Sequence, residues 1–211
     1  LCGPTGSGKS RLLHALAARG EQVLDLEDLA RHKGSVLGSL PGENQPSQKW
    51  FESQLVDVLG HFDANRPVWV ESESRKIGAI QVPTTLLLRV RASHCVRIVA
   101  PMAERVRFLI AEYPHMLAEP ALLKNRLSQL SALLASDVMA RWISLIDAGN
   151  WESLVQDLLE NHYDPLYLRS MSKSYPTLES SPAWRLQRLD IESLASQAGE
   201  LLQVTAAAPT A

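Results

Sequence analysis

A glycine-rich loop at the start of the chain is the first group of residues whose types and spacing can do chemistry. The stretch LCGPTGSGKS, residues 1–10, contains the pattern G-x-x-x-x-G-K-S. Glycines let the backbone turn so that successive N–H groups point at one anion, the lysine reaches the terminal phosphates, and the serine hydroxyl can bind Mg²⁺. The pattern therefore predicts a phosphate or diphosphate site, with Lys9 as a catalytic residue and Ser10 as a metal ligand. The residues predicted to carry the phosphates are Gly3, Gly6, Ser7, Gly8, Lys9 and Ser10.

Acidic residues follow the strands that are predicted after this loop. Asp25 comes near the end of the apolar stretch at residues 23–26, and Glu71 and Glu73 follow the strand in RPVWVESES. In open α/β sheets, ligands lie beyond the carboxyl ends of the strands, so we expect these carboxylates near the loop in metal or base roles. A solvated carboxylate at a strand end is the alternative for each of them. Arg105, in the helix after IVAP, is a further candidate for binding phosphate oxygens.

The elements that position these residues alternate between helix and strand from Gly3 to Tyr113. Strand signals occur at VLDL, RPVWVESES and HCVRIVA, and helical periodicity occurs at KSRLLHALAARG, PSQKWFESQLVDVLGHF, VPTTLLLRVRAS and MAERVRFLIAEY. Alternation of this kind implies crossover connections. The predicted fold is α/β, with a P-loop NTPase-like, mainly parallel sheet, helices on both faces and a C-terminal helical subdomain.

The periodicity also predicts how the chain is divided. Residues 1–115 form the P-loop α/β core, and residues 116–175 keep a helical period without strand breaks and form the helical subdomain. Residues 176–203 return to the core as a strand in RLQRLD and a final helix. The Ala/Thr/Pro segment 204–211 is predicted to be a disordered tail.

Composition excludes several classes of protein. The 211 residues are 45% hydrophobic and 21% charged, and no apolar run approaches the roughly 20 residues of a membrane span. Cys2 and Cys95 are predicted to be reduced packing residues, typical of a cytoplasmic protein.

Charge is unevenly distributed along the chain. Residues 21–73 contain ten acidic and four basic residues, whereas residues 75–107 contain seven basic residues and one acidic residue. The basic segment indicates either scattered solvated side chains or a surface for a polyanion such as RNA.

Three further stretches narrow the function that the loop leaves open. They are LDLEDLARHKGSVLGSL with QPSQKWFE downstream, VWVESESRKIGAIQVP, and NHYDPLYLRSM. Behind this loop and in this order, they resemble the C-terminal P-loop domain of the tRNA 2-selenouridine synthase family. The resemblance runs from Gly3 to about Asp190.

The resemblance implies a transferase that modifies wobble 2-thiouridine in tRNA. Family members are understood to alkylate the sulfur with geranyl diphosphate and then replace it with selenium from selenophosphate. The resemblance favours geranyl diphosphate over ATP or GTP as the ligand of the loop, with Mg²⁺ as a further expected component. It assigns contacts with tRNA or the diphosphate to Arg31, Ser35, Gln45, Ser47, Arg75 and Lys76.

The resemblance also implies a partner domain. Family members carry a rhodanese-like domain with a selenium-handling cysteine before the P-loop domain, and no such pattern lies within these residues. We therefore expect this chain to be the second part of a two-domain protein, with Leu1 and Cys2 at the end of a strand, and without the domain that the selenium step requires. Two other functions share the loop: a small-molecule kinase or ATPase with a helical lid, and a non-catalytic tRNA-binding module.

Overall fold

The fold alternates strands and helices through residue 113 and is almost entirely helical from there to residue 174. The computed structural model describes residues 1–35, 37–130, 134–175, 178 and 181–207. The strands are β1 (Gln22–Leu24), β2 (Val68–Val70), β3 (Lys76–Ile77), β4 (Ile80–Gln81), β5 (Arg97–Val99) and β6 (Ala183–Arg185). The helices of the first part are α1 (Lys9–Ala17), α2 (Leu26–Ala30), α3 (Gln48–Gly60), α4 (Thr84–Arg91) and α5 (Met102–Glu112). The remaining helices are α6 (Pro114–Ala118), α7 (Pro120–Ser128), α8 (Ser136–Asp147), α9 (Trp151–Leu158), α10 (Asp164–Ser174) and α11 (Ile191–Ala207).

Parallel pairing joins the strands that precede the site. β1 pairs with β2 and β5 pairs with β6, both in parallel. Leu1 and Cys2 lie between the two pairs: the Leu1 amine donates to the Val70 carbonyl at 2.5 Å, and Cys2 forms a parallel bridge to Arg97. The strand position predicted for residues 1 and 2 is confirmed. The loop therefore starts from the middle of the parallel arrangement, where strands on both sides end beside it.

Helices cover both faces of these strands. Val23 and Trp69 pack with α1 and α11, whereas the next residues, Leu24 and Val70, pack with α2, α3 and α4. Consecutive residues of a strand point to opposite faces, so the two clusters lie on opposite sides. The predicted mixture of parallel strands and flanking helices is thus confirmed at this level.

Helices α6 to α9 bury a separate cluster around the indole of Trp142, which is fully buried. This cluster meets the first part of the chain mainly where α9 packs on α5. A π-helical turn, Leu159–Tyr163, then leads into α10, which begins at Asp164. α10 returns to the strands, because Met171 and Tyr175 pack against Cys2. The helical segment therefore reaches the end of the sheet at which the loop lies.

Several elements differ from those that the periodicity predicts. The strand expected from residue 23 to 26 ends at Leu24, because Asp25 caps α2 by accepting a hydrogen bond from the Asp28 N–H at 2.9 Å. An antiparallel hairpin, β3–β4, lies in the segment that the sequence leaves without structure. Its turn has Gly78 at φ 59°.

The C-terminal strand and tail also differ from the prediction. The sequence predicts a strand in RLQRLD, but the observed strand β6 lies earlier and ends at Arg185. Asp190 accepts a hydrogen bond from the Ser193 N–H and so belongs to the start of α11. The tail predicted from residue 204 is wrong for residues 204–207, which continue α11. Alanines favour the helix, and the Thr205 hydroxyl donates to the Leu201 carbonyl at 2.9 Å. The rest of the predicted tail lies outside the described residues.

Cys2 and Cys95 form a disulfide, so the prediction of two reduced cysteines is wrong for this structure. The bridge follows from the pairing, since the Cys2 N–H donates to the Val96 carbonyl and brings the two chain segments side by side. No helix among the described residues is long and apolar enough to cross a membrane.

Candidate phosphate and substrate site

The loop between residue 2 and α1 is held in a conformation that needs glycine. Gly6 and Gly8 have φ of 74° and 82°, a region that residues with a side chain rarely adopt. A Cβ atom at Gly6 would lie 2.8 Å from a Leu109 methyl, and one at Gly8 would lie 2.8 Å from a Leu189 methyl. Gly8 caps α1 without a side-chain hydrogen bond. The free N–H groups of the first helical turn therefore remain available for an anion.

The Lys9 ammonium lies across the mouth of this loop. It donates to the Gly3 carbonyl at 2.9 Å and to the Pro4 carbonyl at 3.4 Å, and it lies 4.0 Å from a Glu71 carboxylate oxygen. The Ser10 hydroxyl lies 3.5 Å from a Glu27 carboxylate oxygen. Lys9 thus faces Glu71, as the sequence predicts, whereas Glu27 beside Ser10 was not among the predicted site residues.

A cavity of about 680 Å³ opens in front of the loop. It is lined by ten of the predicted site residues: Gly3, Gly6, Ser7, Gly8, Lys9, Ser10, Asp25, Ser35, Glu71 and Glu73. The structure therefore brings the predicted phosphate and carboxylate residues into one site. Its other walls come from α5, from the loop after α2 and from α10.

Three glutamates crowd the head of the cavity and suppress one another's ionisation. Burial, together with the Glu71 charge, raises the pKa of Glu27 to about 9 and that of Glu73 to about 7. Burial also raises the pKa of Glu71, and the Lys9 charge opposes this increase. A bound cation or a transferred proton would relieve the crowding. No group of three or more His, Cys, Asp or Glu residues able to hold a metal is found in the described part of the chain.

Asp25 holds a more open position at the edge of the same cavity. One carboxylate oxygen caps α2 and the other lies 2.9 Å from His14 Nε2. The His14 side chain is 64% exposed. Asp25 therefore has a structural partner for each oxygen, whereas Glu71 Oε1 is buried without one. This contrast makes Glu71 the stronger candidate for a metal or base role.

The crowded glutamates predict an unusual pH dependence of stability. Between pH 4.5 and 7 an unfolded chain releases the Glu73 proton while the folded chain retains it, so the free energy of unfolding of the metal-free chain should fall as pH rises through this window. In Glu73→Gln the part of this loss that Glu73 causes should disappear while the part caused by Glu27 remains, leaving the variant more stable at pH 8 by roughly 2 kcal/mol. Urea unfolding in EDTA at pH 5 and 8 measures the difference. Glu52→Gln, on the exposed side of α3, is the matched control, and an equal gain there would contradict the prediction.

Arg105 lies behind the loop and does not line the cavity. Its Nε and Nη2 donate to the Thr5 carbonyl at 3.0 and 2.7 Å, and its guanidinium makes a two-bond pair with the Asp164 carboxylate at 2.8 and 2.6 Å. The Arg105 side chain is 6% exposed. Arg105 therefore does not lie where the sequence predicts a phosphate contact. It supports the loop instead, because it joins the loop to the start of α10.

Three of the residues assigned to substrate contact have structural roles away from the cavity. Ser47 caps α3 by accepting from the Trp50 N–H, and the Arg31 guanidinium lies 5.4 Å from the Trp50 ring centroid. Gln45 donates to the Ala30 and Ile77 carbonyls and accepts from the Ala79 N–H, so it fixes the hairpin to the end of α2. The placement of these residues does not support the predicted contacts.

Arg75 and Lys76 do not line the cavity either, but they lie at its edge. Both are exposed, and they follow Ser74, which does line it. Ser35 is the member of the predicted substrate group that lines the cavity itself.

A cluster that sequence reasoning missed closes the opposite side of the mouth. Arg11 and Lys33 both pair with the Glu112 carboxylate, Lys33 at 2.5 Å, and the Lys33 ammonium lies 5.0 Å from the Tyr113 ring. Lys33 lies between Arg31 and Ser35, two residues that the family resemblance assigns to contact with tRNA or the diphosphate. Glu112 at the end of α5 carried no sequence signal, because its partners are distant in the chain.

Comparison with known proteins gives one family. Residues 1–123 match the family model described as the tRNA 2-selenouridine synthase AAA domain. A protein named tRNA 2-selenouridine synthase from Nitrosomonas europaea is 38% identical over 68% of this chain and 37% of its own length. Proteins of the same name from Bdellovibrio bacteriovorus and Cupriavidus necator are 30% and 34% identical, over 83% and 79% of this chain. The chain spans 56% and 52% of their lengths. No solved structure gives a significant match.

Proposed function

The chain belongs to the tRNA 2-selenouridine synthase AAA-domain family, and from this premise we propose that it binds geranyl diphosphate at the loop and transfers the geranyl group to 2-thiouridine of tRNA. The relatives' name supports tRNA modification as the activity, and the walls of the cavity support the choice of donor. The enzyme is then a tRNA-modifying transferase that acts in the cytoplasm.

The observation that carries the choice of donor is the division of the cavity into a charged end and an apolar side. The loop and Lys9 form the charged end, and Phe108, Leu109, Leu166 and Met171 line the wall beyond it. A second cavity of about 60 Å³ adjoins this wall and shares Leu109 with it. The lining of this second cavity is almost wholly apolar: Leu37, Leu109, Ile110, Met116, Leu117, Leu123, Leu154, Val155, Leu158 and Leu159, with Thr5, Ser35, Tyr113 and Tyr163. A ligand with a diphosphate head and a hydrocarbon chain matches this arrangement better than a nucleoside triphosphate does.

The reaction assigns a role to each charged residue at the loop. The sulfur of 2-thiouridine forms a bond to C1 of the geranyl group, and the bond from C1 to the diphosphate oxygen breaks with its electron pair. Lys9 and the free N–H groups of α1 stabilise the negative charge that develops on the leaving pyrophosphate. The proton lost from the thiouracil ring goes to a carboxylate, and Glu73, whose pKa is about 7, is suited to accept it.

The donor set also fits Mg²⁺. The Ser10 hydroxyl lies beside Glu27, and Glu71 Oε1 is buried without a hydrogen-bond partner, which leaves an acceptor for a cation near the phosphates. Ser10, Glu27 and Glu71 would hold the ion, which when bound would neutralise charge on the diphosphate.

Exchange of sulfur for selenium belongs to the longer protein in this proposal. Selenophosphate is the proposed selenium donor, and a rhodanese-like domain would supply the reactive cysteine. The two cysteines of this chain are joined to each other, and Cys2 is 2% exposed, so neither is placed to handle selenium.

Binding and transfer by the chain test the proposal. The dissociation constant for geranyl diphosphate should be at least about tenfold lower than that for pyrophosphate, since the apolar wall adds affinity only for the donor that carries the chain. Incubation with geranyl diphosphate and a 2-thiouridine anticodon stem-loop should add the mass of one geranyl group to the RNA. ATP is the comparison ligand, and phosphoryl transfer from ATP without geranyl binding would overturn the proposal in favour of a kinase.

A further inference from the structure

Three side chains that line the cavity carry buried polar atoms with no partner among the described residues. They are Arg91 Nε at the end of α4, Ser72 Oγ after β2, and the Tyr175 hydroxyl after α10. All three residues line the cavity, and Tyr175 is only 5% exposed. Buried polar groups of folded proteins nearly always have hydrogen-bond partners, so three unpaired ones that line one cavity indicate a place for a ligand group.

The electrostatics of Tyr175 show that these groups act on a common region. Burial raises the pKa of the phenol, the Arg91 charge lowers it, and the Glu73 charge raises it. Arg91 and Glu73 line the same cavity as Tyr175. Ser72 is the neighbour of Glu73 in the chain. The cavity thus combines one guanidinium and two hydroxyl donors with a carboxylate.

Arg91 also differs from the other cations of the cavity in its pairing. Lys9 lies beside Glu71, and Arg11 and Lys33 share Glu112. Within the described part of the chain, the Arg91 side chain makes neither an ion pair nor a hydrogen bond. A partly buried guanidinium with a free fork is suited to the oxygens of a phosphate, and the two hydroxyls can donate to the same group.

The surroundings favour a phosphate of RNA over a second small anion. Ser74 also lines the cavity and leads directly to exposed Arg75 and Lys76. Because Arg75 and Lys76 are exposed, a chain of phosphates can continue outward from the cavity over these two bases. We propose that Arg91, Tyr175 and Ser72 bind a backbone phosphate of the RNA substrate, with its nucleotide entering the cavity alongside Glu73. This assignment rests on the proposed function, because it takes RNA as the acceptor.

The experiment measures the affinity of the chain for a 2-thiouridine anticodon stem-loop at salt concentrations from 50 to 200 mM. Arg91→Ala should weaken binding about tenfold and reduce the slope of log K against log salt by about 0.7 to 0.9, the loss of one phosphate contact. Tyr175→Phe removes only the hydroxyl, so it should weaken binding several-fold with the slope unchanged. Arg89→Ala is the matched control, because Arg89 is exposed on the same helix and does not line the cavity.

Each outcome separates this site from the donor site. Arg91→Ala should leave the affinities for geranyl diphosphate and for pyrophosphate within about twofold of the original. A loss of diphosphate affinity with unchanged RNA affinity would assign Arg91 to the donor site. Equal effects of Arg91→Ala and Arg89→Ala on RNA binding would show that Arg91 is one charge of a general basic surface. Both results overturn the inference.

If RNA binding depends on Arg91 but the unaltered chain does not bind geranyl diphosphate, the proposed donor is wrong and the RNA site stands. Should Arg91→Ala unfold, Arg91→Lys decides: it keeps the salt slope but loses affinity if the guanidinium fork is required.

Discussion

Replacing Lys9 with alanine is expected to lower the affinity of the chain for geranyl diphosphate about 100-fold, or ~2.7 kcal/mol. The Lys9 side chain is 13% exposed and lies at the mouth of the loop, where its polar contacts with the described residues are two carbonyl oxygens and, at 4.0 Å, the Glu71 carboxylate. A hydrogen bond between the ammonium and a charged diphosphate oxygen is stronger than either bond to an uncharged carbonyl. Isothermal titration calorimetry with geranyl diphosphate and with pyrophosphate measures the loss, which should be similar for both because Lys9 contacts the head they share.

Two variants control for indirect effects of this change. Lys9→Met keeps the apolar stem and loses the charge, so it should bind as weakly as Lys9→Ala. Lys49→Ala removes an exposed lysine of α3, outside the cavity, and should bind like the original chain. Undiminished binding by both Lys9 variants, in chains that still unfold cooperatively, would contradict the assignment of the loop as the diphosphate site.

The phosphate loop and its carboxylates could be predicted because local patterns specify them. The glycine spacing of residues 3–8 predicts a backbone that favours glycine at Gly6 and Gly8, and short apolar runs indicate strands beside Asp25 and Glu71, although β1 ends at Leu24 and not at residue 26. In the structure β1 and β2 pair with each other on one side of residues 1 and 2, so both strand ends come beside the loop. The local patterns themselves need no knowledge of distant contacts.

The rest of the site depends on contacts between distant parts of the chain. Arg91 and Tyr175 are 84 positions apart, and α10 must fold back onto the strands before they face one cavity. Gln45 and Ser47 were assigned to the substrate from their motif, but their side chains satisfy backbone groups of the hairpin and of α3. A polar motif residue binds a ligand only if the fold leaves its donors free, and sequence patterns do not report that condition.

Replacing Arg105 with alanine is expected to destabilise the chain by about 3 to 5 kcal/mol, the usual cost of removing one partner of a buried ion pair. The change leaves the Thr5 carbonyl without its two donors and the Asp164 carboxylate without its pair. Urea unfolding of Arg105→Ala, Asp164→Asn and the double variant measures the coupling, which should exceed about 1 kcal/mol because the two side chains are in contact. Arg107→Ala, exposed on the same helix, should cost less than about 0.5 kcal/mol.

The same variants decide between support and direct phosphate contact. If Arg105 supports the loop, Asp164→Asn should lower geranyl diphosphate affinity along with stability, although Asp164 itself does not line the cavity. The reason is that Arg105 connects Asp164 to Thr5 inside the loop, so loosening one end loosens the other. Arg105→Lys should lose most of the coupling, since an ammonium cannot reproduce the two-bond pair. A full loss of affinity in Arg105→Ala with unchanged stability, and with Asp164→Asn binding normally, would instead restore the phosphate contact predicted from the sequence.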